Sequence, residues 1–364
     1  RSFIELGDRL LNYSTKKKTV TFMNILISGV GGVTPKSIAR SIKKCSIYDD
    51  ARLFGTDVNL LSYGLYEEEL YEQTYVIPPA GNEEYWNSLT NIIEKHGINM
   101  ALIQPEQEIL EWAKHKKEGG LWPCQALLPD YNVVKVLVNK GVMTRILKNS
   151  GLVPNSYLID VASLNIDSLE RILSYPFWIR STTGSCGIGA LKIENRKTLL
   201  SWININSGIQ KFIGSSYLPG RNLTCKLLYH NGELLRSACG ERVNYIMSKV
   251  APSGITGNTS FGRLLNEPAL VEVATKAMDA IFEAVGAPKH GFYSADLKED
   301  EFGRPFITEI NVRMVAFNYS FAIAGSNFAE DIIRLLSNDP TYDRSYKMFE
   351  FEPDTIFLRD VDSE

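Results

Sequence analysis

The sequence predicts an α/β domain built on a parallel sheet, followed by an α+β region rich in antiparallel strands. Three observations carry this prediction: the run MNILISGVGGVTPKSIARSIKK from Met23, the alternation of short apolar runs with amphipathic stretches up to about residue 125, and hairpin signals in the second half. The run from Met23 reads as a buried strand (Ile25 to Ser28), a turn with Gly29, Gly31 and Gly32, and a helix from about Pro35 with Ile38 and Ile42 on one face. Strand, tight turn and helix in that order form the unit of a doubly wound sheet. The dinucleotide signature G-x-G-x-x-G is met only in part, because Thr34 stands where the third glycine belongs. A structural turn is the plainer reading.

The elements follow in order. RLFGTDVN reads as a strand, TYVIPP as a short one, EEYWNSLTNIIEKHG as an amphipathic helix, INMALIQPEQE as a strand running into a loop, and EILEWAKHKKEGG as a helix ended by glycine. The loop QPEQE follows a strand's C-terminal end, where open α/β sheets bind ligands. Glu106 and Glu108 are therefore candidates to face a substrate, against the plainer reading of surface carboxylates. In NKGVMTRILKNSGLVPNSYLI, Val142, Ile146 and Leu147 form the apolar stripe of a helix closed by Gly151 and Pro154. Beyond it come YPFWIRSTTGSCGIGALKI, IQKFIGSSYLPGRNLTCKLLYHNGELL and GFYSADLKEDEFGRPFITEINVR, strands with hairpin signals at Asn231-Gly232 and at Asp300 to Arg304. Residues 1–22 are an N-terminal extension ending in a lysine run, and no function is assigned to them.

Composition narrows the function. At 364 residues the chain exceeds one ordinary domain, and a formal net charge of −3 predicts no nucleic-acid surface, so small-molecule ligands are expected. Five scattered cysteines with no CxxC pair argue against a disulfide framework and a structural zinc site, and fit a reducing cytoplasm. No apolar run reaches the ~20 residues needed to span a bilayer, so no membrane partner is expected. The four histidines, His96, His115, His230 and His290, show no metal spacing. His290 precedes the strand discussed next and is read as structural.

The chemistry concentrates in two places. In RPFITEINVRM, a strand's period of two puts Glu309, Asn311 and Arg313 on one face, with Thr308, Ile310 and Val312 on the other. Oxygen-rich side chains on one strand, joined by Asp296 across the KEDEFGRP turn, make a site for a hard cation such as Mg²⁺. Arg313, one strand period past Asn311, could hold a carboxylate or a phosphoryl group through its guanidinium. In IRSTTGSCGIGALKI, Arg180 ends a strand and precedes a Ser/Thr/Gly loop, Gly184, Ser185, Gly187 and Gly189, whose backbone N–H groups can wrap phosphate oxygens. Alone, such a loop is more often a plain hairpin turn.

Taken in order, Lys140, the Arg180 strand with its glycine loop, the IQKFI segment, Asp296 and the EINVR strand resemble the ATP-grasp superfamily, in particular the carbamoyl-phosphate-synthase large-subunit-like ligases. The resemblance covers Met23 to about Leu336 and implies a Rossmann-like domain over 23–125 ahead of an ATP-grasp domain over 126–340. It implies a small lobe at about 140–209, a large lobe at about 210–340 and a tail over 341–364. The implied activity is ATP- and Mg²⁺-dependent, with Mn²⁺ as a substitute: a carboxylate becomes an acyl phosphate that an amine attacks, in an enzyme that is often a homodimer. By resemblance, Lys140 and Arg180 contact the nucleotide phosphates. Gln210, Lys211, Phe212 and Ile213 form the lobe-linking segment that pairs with adenine, and Asp296, Glu309 and Asn311 hold magnesium. Arg313 steadies the acyl phosphate, and Arg242 and Lys249 face the γ-phosphate or substrate. Asn222, in PGRN, falls where relatives carry a ribose-binding glutamate, with Tyr217 as the alternative contact. The loop APSGITGNTSFGR is expected to line the acceptor pocket. Two other classes remain: a noncatalytic nucleotide-binding protein, which Asn222 keeps open, and a nicotinamide-dependent oxidoreductase or epimerase, which would leave the second half unexplained.

Overall fold

Short, strongly apolar runs flanked by glycine and proline become the strands of a buried parallel sheet in the computed structural model, which describes residues 23–45, 47–184, 187–315 and 317–360. Five strands, β1 (Asn24–Ser28), β2 (Arg52–Asp57), β3 (Gln73–Val76), β4 (Met100–Leu102) and β5 (Gln125–Ala126), pair in parallel in the order β3-β2-β1-β4-β5. Helices α1 (Val33–Lys44), α2 (Tyr85–His96) and α3 (Glu106–Lys117) connect them. One expectation changes here. The QPEQE segment is not a loop, because α3 starts at Glu106 directly after Pro105 and takes Glu106 and Glu108 into its first turn. Carboxylates are favoured there by the helix dipole.

After α4 (Tyr131–Leu137), α5 (Lys140–Leu147) begins with a side-chain cap: Asn139 Oδ1 accepts from the N–H groups of Gly141 and Val142. The face that α5 buries is set by Met143 and Leu147, whereas Val142 and Ile146 are half-buried. An antiparallel sheet follows, of β6 (Ser156–Asp160), β7 (Phe177–Ser181), β8 (Leu191–Ile193) and β9 (Lys211–Ser216) in the order β6-β9-β7-β8, with α6 (Ile166–Ile172) and α7 (Arg196–Ile205). Its core is its own, made by Ile159, Leu169, Phe177, Ile179, Leu199 and Phe212 among others.

The largest sheet holds β10 (Asn222–His230), β11 (Glu233–Tyr245), β12 (Thr259–Leu265), β13 (Gly291–Glu299), β14 (Pro305–Asn311), β15 (Lys347–Met348) and β16 (Ile356–Leu358). Helices α8 (Pro268–Val285), α9 (Asn318–Ile323) and α10 (Phe328–Leu336) complete the chain. The β10–β11 hairpin turns through Asn231 (φ 49°) and Gly232 (φ 99°), positive φ at both central positions, as the Asn-Gly signal requires. Two further expectations shift. The crossing between the antiparallel sheets runs through residues 217–221 and not at about 210, because β9 pairs with β6 and β7. The tail beyond residue 340 supplies β15 and β16 to the large sheet. Leu26 and Phe54 of the parallel sheet share one core cluster with Leu223, Met278 and Ile310, so these two parts pack as one body.

Candidate functional site

A cleft of about 1010 Å³ opens among the three sheets. Its floor is the pairing of β13 with β14, where Asp296 stands opposite Glu309. The ladder slips just beyond that pair: Leu297 faces Ile307, so Thr308 is an extra residue in β14. Such a bulge frees a backbone group from the ladder. Arg180 uses it, donating from its guanidinium to the Thr308 carbonyl across from the four-stranded sheet.

Charge is arranged as facing pairs. Lys140 Nζ lies 3.2 Å from Glu309 Oε1, and Arg180 Nη1 lies 3.6 Å from Glu309 Oε2. Lys140 also donates to the Gly184 carbonyl at 2.6 Å, which ties the start of α5 to the glycine loop. Arg242 Nη2 donates to Asp296 Oδ1 at 2.6 Å. Burial raises the Asp296 carboxyl above its ordinary range, against the opposing pull of Arg242. The Arg242 charge, which burial alone would disfavour, is sustained by Asp296. Asn311 Nδ2 reaches toward Asp296 Oδ2 at 3.5 Å, and Arg313 Nε faces Glu106 Oε1 at 3.6 Å. Among the described residues no group of three or more His, Cys, Asp or Glu side chains gathers. The donor set at β13–β14 is two carboxylates and an amide, oxygen ligands that suit a hard divalent ion completed by phosphate or water.

The cleft therefore brings together Lys140, Arg180, Gly184, Asn222, Arg242, Asp296, Glu309, Asn311 and Arg313, all in its wall. Ser185 lies outside the described residues. Five residues named from the sequence are not brought there as expected. Gln210, Lys211 and Phe212 do not line the cleft. The Gln210 carbonyl accepts from Val161 N–H, the Lys211 carbonyl accepts from Thr182 N–H, and Phe212 is fully buried in the small sheet's core. Both carbonyls are thus taken, and from Phe212 onward the strand pairs with β6 on one side and β7 on the other. Ile213 alone of that segment reaches the wall, which continues through Ser215, Ser216, Tyr217 and Leu218. Lys249 sits on an exposed turn after β11 and is not in the wall. Glu108 turns inward: it is 3% exposed and accepts from Tyr85 Oη at 2.8 Å. His290 Nδ1 accepts from Asn231 N–H at the far hairpin, consistent with a structural place.

Sequence reasoning missed Trp178 and Lys298, which also line the cleft. Lys298 Nζ donates to Asn222 Oδ1 at 3.1 Å and to the Gly220 carbonyl at 2.8 Å. Strand alternation could have found it, since Asp296 and Lys298 share a face of β13. Ser253, Ile255, Gly257 and Asn258, from the APSGITGNTSFGR loop, reach the wall.

No protein-family model and no curated protein sequence matches the chain. Solved structures do. The N5-carboxyaminoimidazole synthetase of Staphylococcus aureus, complexed with ADP, aligns with a TM-score of 0.65 at 16% identity, over 92% of this chain and 80% of that one. The L-amino acid ligase of Bacillus licheniformis aligns with a TM-score of 0.62 at 16% identity, over 86% and 74%. The D-alanine–D-alanine ligase of Bacillus anthracis aligns with a TM-score of 0.56 at 14% identity, over 87% and 99%. The chain shares the fold of these enzymes. The mixed α/β architecture expected from the sequence stands. No described helix is long and apolar enough to cross a membrane.

Proposed function

We propose that the chain is an ATP- and magnesium-dependent ligase of the ATP-grasp kind, which activates a carboxylate as an acyl phosphate for attack by an amine. The observation that supports it best is the facing of the cross-strand carboxylates Asp296 and Glu309 by cations from other strands and from α5, across the cleft. Lys140 and Arg180 reach Glu309 from the opposite sheet's side, and Arg242 reaches Asp296. A triphosphate entering between them lets each cation exchange a carboxylate for a phosphate oxygen. The carboxylates are then free for a cation of their own.

In this reading Lys140, Arg180 and the N–H groups of the glycine loop hold the phosphates, and Arg242 faces the phosphoryl group in transfer. The substrate carboxylate attacks the γ-phosphorus in line, the bond to the ADP oxygen breaks, and Arg313 steadies the acyl phosphate that results. Asp296, Glu309 and the Asn311 amide oxygen would hold a magnesium ion, which supplies charge compensation on the phosphate oxygens. The protein offers no nucleophile of its own; it positions groups and offsets charge before the reaction begins. The base lies against the Trp178, Ile213 and Tyr217 part of the wall, and Asn222, its oxygen taken by Lys298, offers its amide N–H to the ribose. Residues 23–125 are read as a Rossmann-like domain, and 126–340, with β15 and β16 added to its large sheet, as the ATP-grasp domain, with lobes joined at 217–221. The free thiols of Cys45, Cys124, Cys225 and Cys239 suit a cytoplasmic setting.

Glu309→Gln tests the reading. ADP release from Mg-ATP with a panel of carboxylates and amines is expected to fall by about 10²- to 10³-fold, the scale seen when one charge-stabilising group is lost. Circular dichroism is expected to stay unchanged. Wild-type turnover in this variant would sink the proposal.

A further inference from the structure

At the carboxyl ends of β1 and β4 the cleft has a second end that the phosphate chemistry does not use. Its wall is formed by Val33 and Thr34 at the start of α1, Gln104, Glu106 and Arg313. Three features of this end are unsatisfied. Glu106 and Arg313 face each other at 3.6 Å, too far for a hydrogen bond, so each keeps capacity for another partner. Gln104 is 7% exposed; its Nε2 donates to the Ile103 carbonyl, while its Oε1 is shielded from solvent without a hydrogen-bond partner. A buried acceptor left unpaired costs about 1–3 kcal/mol unless a donor arrives.

The third feature is the start of α1, which has no side-chain cap and no acidic residue in its first turn. The turn ahead of it is already satisfied: Gly29 and Val30 donate to the Thr56 carbonyl, Gly32 to the Gly29 carbonyl, and Gly31 to Asp57 Oδ2 at 2.8 Å. Pro35 has no N–H to give. Val33 and Thr34 thus carry the open donors of the helix start among the described residues, a place that favours an anion. Lys36 is engaged by Glu67 and adds no cation to it.

We infer that this end binds an α-amino acid, or another short aminoalkyl acid, as a zwitterion and presents its amine as the nucleophile. The inference rests on the ligase reading. The carboxylate lies on the N–H groups of Val33 and Thr34, and the ammonium lies between Glu106 and the Gln104 amide oxygen. Glu106 supplies the charge that meets the ammonium, and with Arg313 on the acyl phosphate and Lys36 on Glu67 this end of the wall has no further cation for a phosphate among the described residues, which suits an amino acid and not a phosphorylated amine. Arg313 follows Asn311 in the chain, so an amine at Glu106 sits beside the acyl phosphate. The ammonium gives one proton to Glu106; its nitrogen attacks the acyl carbon, and the C–O bond to phosphate breaks. The second proton leaves with the phosphate as HPO₄²⁻, giving the amide.

The test is calorimetric titration of the full chain, holding a nonhydrolysable ATP analogue and Mg²⁺, with the twenty amino acids. For any that bind, the carboxamide, the decarboxylated amine and phosphoethanolamine follow. One or a few amino acids are expected to bind, with removal or neutralisation of their carboxylate weakening binding at least about tenfold, the worth of one charge-assisted hydrogen bond. Glu106→Gln and Gln104→Leu are expected to weaken the amino acid by a similar factor, and the analogue's affinity for each variant reports that it is folded. Equal binding of the decarboxylated amine, a preference for phosphoethanolamine, or no amino acid bound while the analogue binds overturns this inference and leaves the ligase reading intact. No binding of the analogue overturns both.

Discussion

Glu108 shows how one side chain can carry a pH dependence far from any chemistry. Its carboxyl is buried on α3 and accepts from Tyr85 Oη, which in turn accepts from Trp112 Nε1 at 2.9 Å. Burial pushes it up from 4.5 to about 7. Below pH 4.5 the folded and unfolded chains both hold the proton. As pH rises from there to about 7 the unfolded chain ionises first, so stability falls through that window and stays lowered above it. At about 1.4 kcal/mol per pKa unit the loss is about 3 kcal/mol. Glu108→Gln keeps the acceptor for Tyr85 and cannot ionise. It is expected to melt several degrees higher than the wild type at pH 8 and at the same temperature at pH 4.5, by scanning calorimetry. Melting curves that run parallel across that range would show that the carboxyl is not perturbed in the folded chain.

At the scale of an element, the start of α5 places Lys140, the cation that the proposed function sets against the nucleotide phosphates. Lys140 is its first residue, pinned by the Asn139 cap on Gly141 and Val142 and by its own bond to the Gly184 carbonyl. Asn139→Ala is expected to cost about 1 kcal/mol of stability. It should also raise the KM for ATP more than it lowers kcat, because it loosens where Lys140 sits without removing the charge. A change in kcat alone would place the cap outside nucleotide binding. The cap could have been read from the sequence, since asparagine ahead of an amphipathic run is a start signal, as could the EINVR alternation and the Asn231-Gly232 turn. The adenine segment could not. IQKFI and GSSYL are both short apolar stretches at a strand's edge, and only the pairing of Lys211–Ser216 with β6 and β7 shows that the first is consumed by the sheet. The bulge at Thr308 was hidden for a related reason: period-two counting puts Thr308 opposite to Glu309, yet an inserted residue leaves its carbonyl free for Arg180. Glu108 was misplaced because a carboxylate in a helix's first turn carries no local sign of which way the helix will face.

Across the whole molecule, stability is divided unevenly, and the cleft lies on the division. The parallel sheet and the seven-stranded sheet share a continuous apolar core, with Leu26, Trp112, Leu223, Met278 and Ile310 in one cluster. The four-stranded sheet does not join it; eight buried residues, from Ile159 to Phe212, make a separate and smaller core. What crosses from its strands and glycine loop to the rest is mainly polar: Arg180 to Glu309 and to the Thr308 carbonyl, and Lys140 to Gly184. Largely buried ion pairs of that kind are worth little net, because the cost of taking the charges out of water offsets their attraction, whereas apolar burial is worth about 25 cal/mol per Å². The free protein should therefore open the four-stranded sheet at lower free energy than the β10–β14 sheet, and amide exchange should be faster throughout β6, β7 and β9. A ligand whose phosphates lie between Lys140, Arg180 and the β13–β14 carboxylates ties the two parts together. At a hundred times its dissociation constant it adds about 2.7 kcal/mol to whatever opening it opposes. Mg-ATP analogue is thus expected to slow exchange in β6, β7 and β9 about a hundredfold, with little change in β1 or β4, and EDTA to reverse most of the effect. Mass-spectrometric hydrogen exchange in the three states decides it: protection gained in the parallel sheet instead would mean that the nucleotide sits at the glycine turn of β1, as an oxidoreductase would hold it, and not between the antiparallel sheets.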